Sequence, residues 1–444
     1  MHRLLLVLVL SSASPALAPA YAKSNRADHS QPGRTADGKP DNYEKIYDAT
    51  VKGRSDAEYF AAINAGWQRN LSTLRPRLDP ARSYLVIHSQ EPKEVFDLRT
   101  PNLFKRGLLA KGISKMAQST IGIGHVFLSW RCQQADGTVA EGTVGQTGEL
   151  SNQFKGMLDK GWGLSVFKAK FTDGHLQTPE LLDFEFEGDE PLHTLAIEVE
   201  PAVCENARSF VKKYLEHPAK PRGNFGLQMD PVKFEGGGCG SFGVSVLDQS
   251  RIFGSVPVIP NFWRHLSART SLFGYGDLEL PEDSVAPSFP ASVRKKDTKK
   301  ISAAKLFLLS NWDASRRDGG QKLKVMDPEL LLLFLKTVYR SFYKDIAAAD
   351  RGLWNEFRKS SLYQPRISIE NTIVAVSEAK MEAIMKQTGS RVIDGTFDPR
   401  ANTTVSQTMQ WVKGLKALGY RARPVKVGAS KVTNIGVILD RANF

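Results

Sequence analysis

Apolar residues at helical spacing mark the first predicted element of the chain. Ser55 can cap a helix, and Glu58 stands three residues later, which is the arrangement of a capping box. An apolar stripe follows at helical spacing: Phe60, Ile63, Trp67 and Leu71. This pattern predicts a helix from Ser55 to the Arg75-Pro76 step, because the residue before a proline disfavours helix.

Apolar and alternating segments then predict a sheet. Residues 83–90 form a short apolar strand pattern, and residues 104–118 have helical spacing. Residues 126–130 and 138–146 are the arms of a predicted hairpin with its turn at Asp136-Gly137. Further strands are predicted at residues 163–171 and 193–200, and a helix at residues 201–214.

The register of the hairpin decides which side chains share a face. A two-residue turn pairs Phe127 with Gln146 and places Gln146 on the face of His125. A turn one residue longer or shorter places Glu141 there instead, because a one-residue slip moves every side chain to the other face. Both arrangements are compatible with the sequence.

The last third of the chain is predicted to be a second domain. Residues 281–300 are rich in proline, serine and charge, which indicates a boundary. Helices are predicted beyond it at residues 328–343, 377–388 and 404–418, and a strand at residues 434–440. We therefore expect an α+β chain with one domain at residues 55–285 and a helix-rich domain at residues 286–444.

The amino terminus has the pattern of an export signal. A basic start, an apolar run and small residues ending at Ala22 predict a signal peptide over residues 1–22. Residues 23–54 are polar and predict a disordered spacer. No apolar run is long enough to predict a transmembrane segment. We expect a secreted or periplasmic protein.

Positive charge is concentrated in the predicted second domain. Residues 294–444 contain 28 lysines and arginines against 14 aspartates and glutamates, whereas the preceding residues are almost balanced. This excess predicts that residues 290–444 bind anionic polymers, the alternative being a solvated basic surface. No metal-ligand spacing or nucleic-acid motif is present in the sequence, so neither a cofactor nor a specific nucleic-acid partner is expected.

Three cysteines suggest the chemistry. Their number is odd, so at least one thiol is free or paired outside the chain. Cys132 and Cys204 could pair with each other, which their spacing does not decide. Cys239 follows three glycines and begins an apolar helix pattern, where N–H groups and the helix dipole favour a thiolate. His125, at the start of a predicted strand, is the candidate base.

The segments GHVFLSW, with His125, and GGGCGSFGVSVL, with Cys239, occur in an order that resembles the circularly permuted NlpC-type papain-like cysteine hydrolases, the lecithin:retinol-acyltransferase-like branch. The resemblance covers about residues 80–255. It implies a papain-like core, an antiparallel sheet with the cysteine helix packed on it. It also implies a Cys239 nucleophile, a His125 base and a substrate with an amide or ester bond.

The resemblance also implies a third polar residue on the strand after the histidine. Glu141 matches the family by position along the hairpin, and Gln146 is the alternative. The backbone around Gly238 and Gly240 would contribute to an oxyanion site. We predict an exported cysteine peptidase or amidase acting on cell-wall peptide. The alternatives are a lipid acyl hydrolase or transferase, and an inactive papain-like domain joined to a basic polyanion-binding module.

Overall fold

The computed structural model describes residues 47–48, 51–68, 71–90, 97–110, 124–148, 156–157, 159–185, 191–274, 300–314, 320–360, 398–428 and 434–442. The predicted signal peptide, most of the predicted spacer, the predicted domain boundary and the predicted helix at residues 377–388 lie outside these residues.

The described residues form nine strands and nine α-helices. The strands are β1 Ser83–Gln90, β2 His125–Gln133, β3 Val139–Thr147, β4 His175–Gln177, β5 Leu192–Val199, β6 Trp263–Ala268, β7 Gln321–Met326, β8 Tyr420–Val427 and β9 Asn434–Arg441. The helices are α1 Asp56–Ile63, α2 Pro101–Ala110, α3 Pro179–Glu185, α4 Pro201–Glu216, α5 Cys239–Ser250, α6 Pro328–Ser341, α7 Tyr343–Ala349, α8 Arg351–Lys359 and α9 Pro399–Ala417.

Seven strands form one sheet in the order β4-β3-β2-β1-β5-β9-β8. Neighbouring strands are antiparallel except β5 and β9, which are parallel and pair Leu195 with Val437. The α+β class is therefore confirmed. Strands β1–β5, which lie before the predicted domain boundary, pair antiparallel as expected, and the addition of β9 makes the whole sheet mixed. The remaining strands, β6 and β7, form a separate antiparallel pair.

Side-chain alternation gives the large sheet two buried faces. Val126, Leu128 and Trp130 of β2 belong to one hydrophobic cluster with residues of α4, α5, α6 and α9. We call this side the helix face. Phe127 and the residues of β1 that share its face pack with Leu182 of α3 and with the segment around Leu74. We call this side the opposite face.

The residues after the predicted domain boundary do not fold apart from those before it. Strands β8 and β9 extend the large sheet, and helices α6 and α9 share the helix-face cluster with α4 and α5. Tyr339 of α6 donates a hydrogen bond to the Thr194 carbonyl of β5 at 2.8 Å. Tyr420 of β8 donates to the Glu198 carbonyl at 2.8 Å. The two predicted domains thus share one sheet and one core.

Several elements predicted from local sequence signals are present in the structure, but two predictions are wrong. The Ser55–Glu58 capping box is present, but α1 ends at Ile63 and does not continue to Arg75. The cause is local: the Asn64 side chain donates to the Phe60 carbonyl at 2.7 Å, and Gly66 has a φ of 136°. The predicted strand at residues 163–171 is wrong, because residues Leu164–Lys168 form a 3₁₀ helix.

Two covalent or ionic connections fix helices to the strands. A disulfide joins Cys132 of β2 to Cys204 of α4 and leaves Cys239 as a free thiol. The guanidinium of Arg264, on β6, contacts Asp327 and Asp398, which cap the first turns of α6 and α9. Among the described helices, none combines the length and the apolar composition needed to cross a membrane.

Candidate active site

The glycine loop, residues 235–238, leads directly into α5 and is folded tightly. Gly236 has a φ of 122°, and a Cβ at this position would lie 2.5 Å from the Asn224 Cβ. A Cβ at Gly237 would lie 2.8 Å from Pro231 and 3.0 Å from the Ser241 Oγ. Glycine is required at Gly236 by both its backbone angle and its neighbours.

Ser241 closes the start of α5 onto the glycine loop. The Gly238 N–H donates to the Ser241 Oγ at 2.9 Å, and the same hydroxyl lies 3.1 Å from the Gly238 carbonyl, to which it donates. Gly238 was predicted to contribute to an oxyanion site, but its N–H is engaged by Ser241 in this structure. Gly240 is the other residue predicted to contribute to this site, and its N–H faces the sulfur of Cys239.

Gln146 supports the glycine loop from β3. Its Nε2 donates to the Asn224 carbonyl at 3.0 Å, and its Oε1 accepts from the Tyr214 hydroxyl at 2.9 Å. Asn224 in turn donates to the Glu235 carbonyl at 3.1 Å. Gln146 was considered as the residue that orients His125. The structure instead assigns it to a buried hydrogen-bond chain that positions the loop before Cys239.

Cys239 is the first residue of α5, and its sulfur lies against the start of β2. The helix approaches the strand closely, because a Cβ at Gly243 would lie 2.7 Å from the Val126 Cγ1. The thiol donates to the Gly124 carbonyl at a sulfur–oxygen distance of 3.7 Å. Cys239 as a residue is partly exposed to solvent, whereas its sulfur is buried. The nucleophile candidate therefore lies beside the residues that flank His125.

The protonation state of Cys239 differs from the thiolate that the sequence predicted. Burial of the sulfur raises the pKa of Cys239, and the N–H groups of Val126, Gly240 and Cys239 itself act in the opposite direction. Burial is the larger effect, so the helix start does not lower the pKa below its ordinary value as the sequence suggested. Cys239 rests as a thiol at neutral pH, and nucleophilic attack requires a base.

His125 lies on the opposite face of β2. Its imidazole is 6.1 Å from the ring of Phe127, and a Cβ at Gly145 would lie 3.2 Å from its Nε2. The Gln177 side chain of β4 lies beside it, since the same Cβ would also contact the Gln177 Oε1. Burial lowers the pKa of His125 to about 4, an effect that the Gln177 contact opposes. The imidazole is neutral at pH 7, which is the state that a general base requires.

Helix α5 and the His125 ring lie on different sides of β2. Helix α5 packs on the Val126 side of the strand, whereas the His125 ring shares its side with Phe127, Gly145 and Gln177. The structure places Cys239 next to the backbone on both sides of His125. The pairing of Cys239 with His125 stays a prediction.

Glu141 is far from His125. It lies opposite Arg131 in the β2–β3 register and forms ion pairs with Arg131 and Arg75. Arg131 is six residues along β2 from His125, which corresponds to about 20 Å of extended strand. Glu141 therefore does not orient the imidazole, and Gln177 is the polar side chain beside the ring.

The hairpin turn explains why Gln146 does not share the face of His125. The structure pairs Phe127 with Gly145, one residue earlier than a two-residue turn predicts. The loop instead closes through Gln134 and Thr138, with Gly137 at a φ of 83°, which is the geometry of a three-residue loop. Gln146 consequently faces the helix side, and the Gln177 contact comes from a strand too short to predict from periodicity.

A buried polar row crosses the opposite face next to His125. His88 of β1 contacts the Thr194 hydroxyl at 3.1 Å and the Ser129 hydroxyl at 3.2 Å. Ser129 contacts the Thr143 hydroxyl at 2.8 Å. The imidazole of His88 also stacks on Phe127 with ring centroids 4.5 Å apart. Burial lowers the pKa of His88 to about 3, so the row contains a neutral histidine.

The His88 pKa predicts a loss of stability in acid. The unfolded chain binds a proton at His88 near pH 6.5, but the folded chain excludes it until about pH 3. The contribution to stability is therefore complete above pH 6.5 and falls as the pH drops, by about 1.4 kcal/mol per pH unit. We expect His88→Gln to flatten the fall in unfolding free energy between pH 6 and 4, as measured by urea unfolding. Equal slopes for both proteins would contradict this.

Basic side chains on the edge strand β8 are paired. Arg421 lies 3.6 Å from Asp345, Arg423 lies 2.6 Å from Asp440, and Lys426 lies 3.3 Å from Glu356. These pairs neutralise part of the local positive charge. Binding of anionic polymers by residues 290–444 stays a prediction.

The described residues contain no group of three or more histidine, cysteine or acidic side chains that could hold a metal ion. No protein-family model matches the chain, and no curated protein or solved structure matches it significantly.

Proposed function

We propose that the protein is an exported cysteine hydrolase that cleaves an amide bond in cell-wall peptide, with Cys239 as the nucleophile. The observation that carries the proposal is the position of Cys239. It is a free thiol on a partly exposed residue at the start of α5, behind a loop that the Gly236 and Gln146 contacts hold in place. The N–H groups of Val126, Gly240 and Cys239 face its sulfur.

The proposed reaction begins from a neutral thiol and a neutral imidazole. The Cys239 sulfur attacks the carbonyl carbon, and the thiol proton passes through a base to the leaving amine as the C–N bond breaks. Water then cleaves the thioester, which releases the acid and restores the thiol. His125 is the proposed base, because its imidazole is neutral at pH 7 and the backbone on both sides of it lies against the Cys239 sulfur. A papain-like core is part of this proposal.

Export is supported by the cysteines. A disulfide between Cys132 and Cys204 is typical of an oxidising compartment, where structural disulfides persist. The amino-terminal pattern of residues 1–22 points the same way. A wall substrate fits a hydrolase that acts outside the cytoplasm.

The substrate class can be tested directly. The full chain is incubated with purified peptidoglycan and, separately, with phospholipid vesicles. We expect new amino groups from the peptidoglycan and no free fatty acid from the vesicles. Fatty-acid release alone would replace the amidase proposal with the lipid alternative, and activity on neither substrate would reject both.

A further inference from the structure

A second site candidate lies beside the glycine loop, on the outer surface of the small sheet. A cavity of about 450 Å³ is bounded by β6, β7, the end of the Leu164–Lys168 helix and the segment that precedes the glycine loop. Four of its lining residues are lysines, Lys168, Lys233, Lys322 and Lys324, and two are carboxylates, Asp230 and Glu235. Lysine side chains therefore outnumber carboxylates in the wall of the cavity.

Strand alternation directs two of these lysines outward. Leu323 and Val325 of β7 are buried, so Lys322 and Lys324 project from the other side of the strand. Lys324 pairs across the sheet with His265, which also lines the cavity. The Lys324 ammonium lies 4.2 Å from the centroid of the Trp263 ring. The sheet therefore presents fixed cations on one wall.

Lys168, at the end of the Leu164–Lys168 helix, supplies a further cation. Its side chain is almost fully enclosed, with 3% of the residue exposed, and its Nζ donates to the Gln321 Oε1 at 3.4 Å. Burial lowers the pKa of Lys168. Enclosing an ammonium group costs free energy, and a nearby anion reduces that cost.

The two carboxylates are already engaged within the wall. Asp230 lies 3.7 Å from the Lys233 ammonium and 3.8 Å from the Lys324 ammonium. The Glu235 carboxylate accepts from the Asp230 N–H at 3.0 Å. Asp230 thus has two lysines as partners, and the wall contains four lysines against two carboxylates.

We propose that this cavity binds a phosphate monoester group. A phosphate monoester carries about −1.5 to −2 charge at pH 7, which matches the excess of lysines over carboxylates, whereas a single carboxylate or a phosphodiester carries only about −1. Lysine binds phosphate as a point charge, and lysines supply the cationic part of this wall. The inference does not depend on the reaction at Cys239.

Calorimetric titration of the full chain at constant ionic strength tests the site. The probes are inorganic phosphate, glycerol 3-phosphate, the diester glycerophosphoglycerol and acetate. We expect saturable binding of the first two and at least about fivefold weaker binding of the diester and of acetate. Tighter binding of glycerol 3-phosphate than of phosphate identifies a phosphorylated organic ligand, and equal binding identifies the free ion. Acetate binding as tight as phosphate binding would overturn the proposal.

Lysine variants test whether phosphate binds in this cavity. Lys324→Met and Lys168→Met should each weaken phosphate binding about tenfold or more, the usual loss for a charge-assisted hydrogen bond. Lys212→Met is the matched control, because this lysine lies on α4 next to Glu216 and carries the same charge. Lys324 is partly exposed, so its variant remains informative should Lys168→Met fail to fold. Equal affinity in Lys324→Met and Lys212→Met would show that phosphate binds elsewhere.

Discussion

Replacing Arg264 by methionine is expected to lower the free energy of unfolding by about 3–5 kcal/mol. Arg264, Asp327 and Asp398 are all almost completely buried. The Arg264 Nε lies 2.7 Å from Asp327, and its two terminal nitrogens lie 2.8 and 2.7 Å from the two oxygens of Asp398. Removing the guanidinium leaves two buried carboxylates without this cation, which is the costly way to break a buried ion pair.

The position of the buried Arg264–Asp327–Asp398 triad adds to the expected loss of stability. Asp327 accepts from the Glu329 N–H at 3.0 Å, and Asp398 accepts from the Arg400 N–H at 3.1 Å. Arg264 therefore joins β6 to the starts of both α6 and α9, which pack on the large sheet. Its loss should weaken the attachment of two helices at once.

A surface arginine provides the control for this measurement. Arg421 lies 3.6 Å from Asp345, and its side chain is 73% exposed. We expect Arg421→Met to change the free energy of unfolding by about 1 kcal/mol or less, because water screens exposed pairs. Chemical denaturation at pH 7 measures both variants. Similar losses for Arg264→Met and Arg421→Met would show that the buried triad contributes no special stability.

Replacing Cys239 by alanine is expected to reduce hydrolysis at least about a thousandfold, because it removes the only atom proposed to form a bond with the substrate. The fold should persist. The side chain is small, and the Ser241 contacts with Gly238 that start α5 do not involve the sulfur. Turnover is measured with the wall substrate, and folding with the unfolding free energy.

A second variant on the same helix distinguishes chemistry from structure. Gln249 is near the end of α5, and its side chain donates to Asp248 at the surface. Gln249→Ala should keep the activity of the unchanged protein. Residual activity in Cys239→Ala comparable to that of Gln249→Ala would exclude Cys239 as the nucleophile.

Elements with local signals were predictable from the sequence. The apolar run at Ser83–Gln90 is β1 with the same bounds, and the Ser55–Glu58 box caps α1. The glycines before Cys239 correctly indicated the start of α5. In each case the determining contacts are within a few residues, so their physical basis is visible in the sequence.

Long-range arrangements were not predictable in the same way. The parallel pairing of β5 with β9 joins residues more than two hundred positions apart and has no local signature. The one-residue difference in the hairpin turn moved Gln146 to the helix face. The contact of His125 with Gln177 depends on both that register and the three-residue strand β4.

The central claim is that Cys239 forms an acyl-enzyme, and trapping that species tests it most directly. The full chain is mixed with the wall substrate, quenched in acid at short times and analysed by mass spectrometry after digestion. We predict an acyl adduct on the peptide that contains Cys239, which hydroxylamine removes as expected for a thioester and which Cys239→Ala does not form. Turnover of the substrate with no adduct at Cys239 would contradict the account.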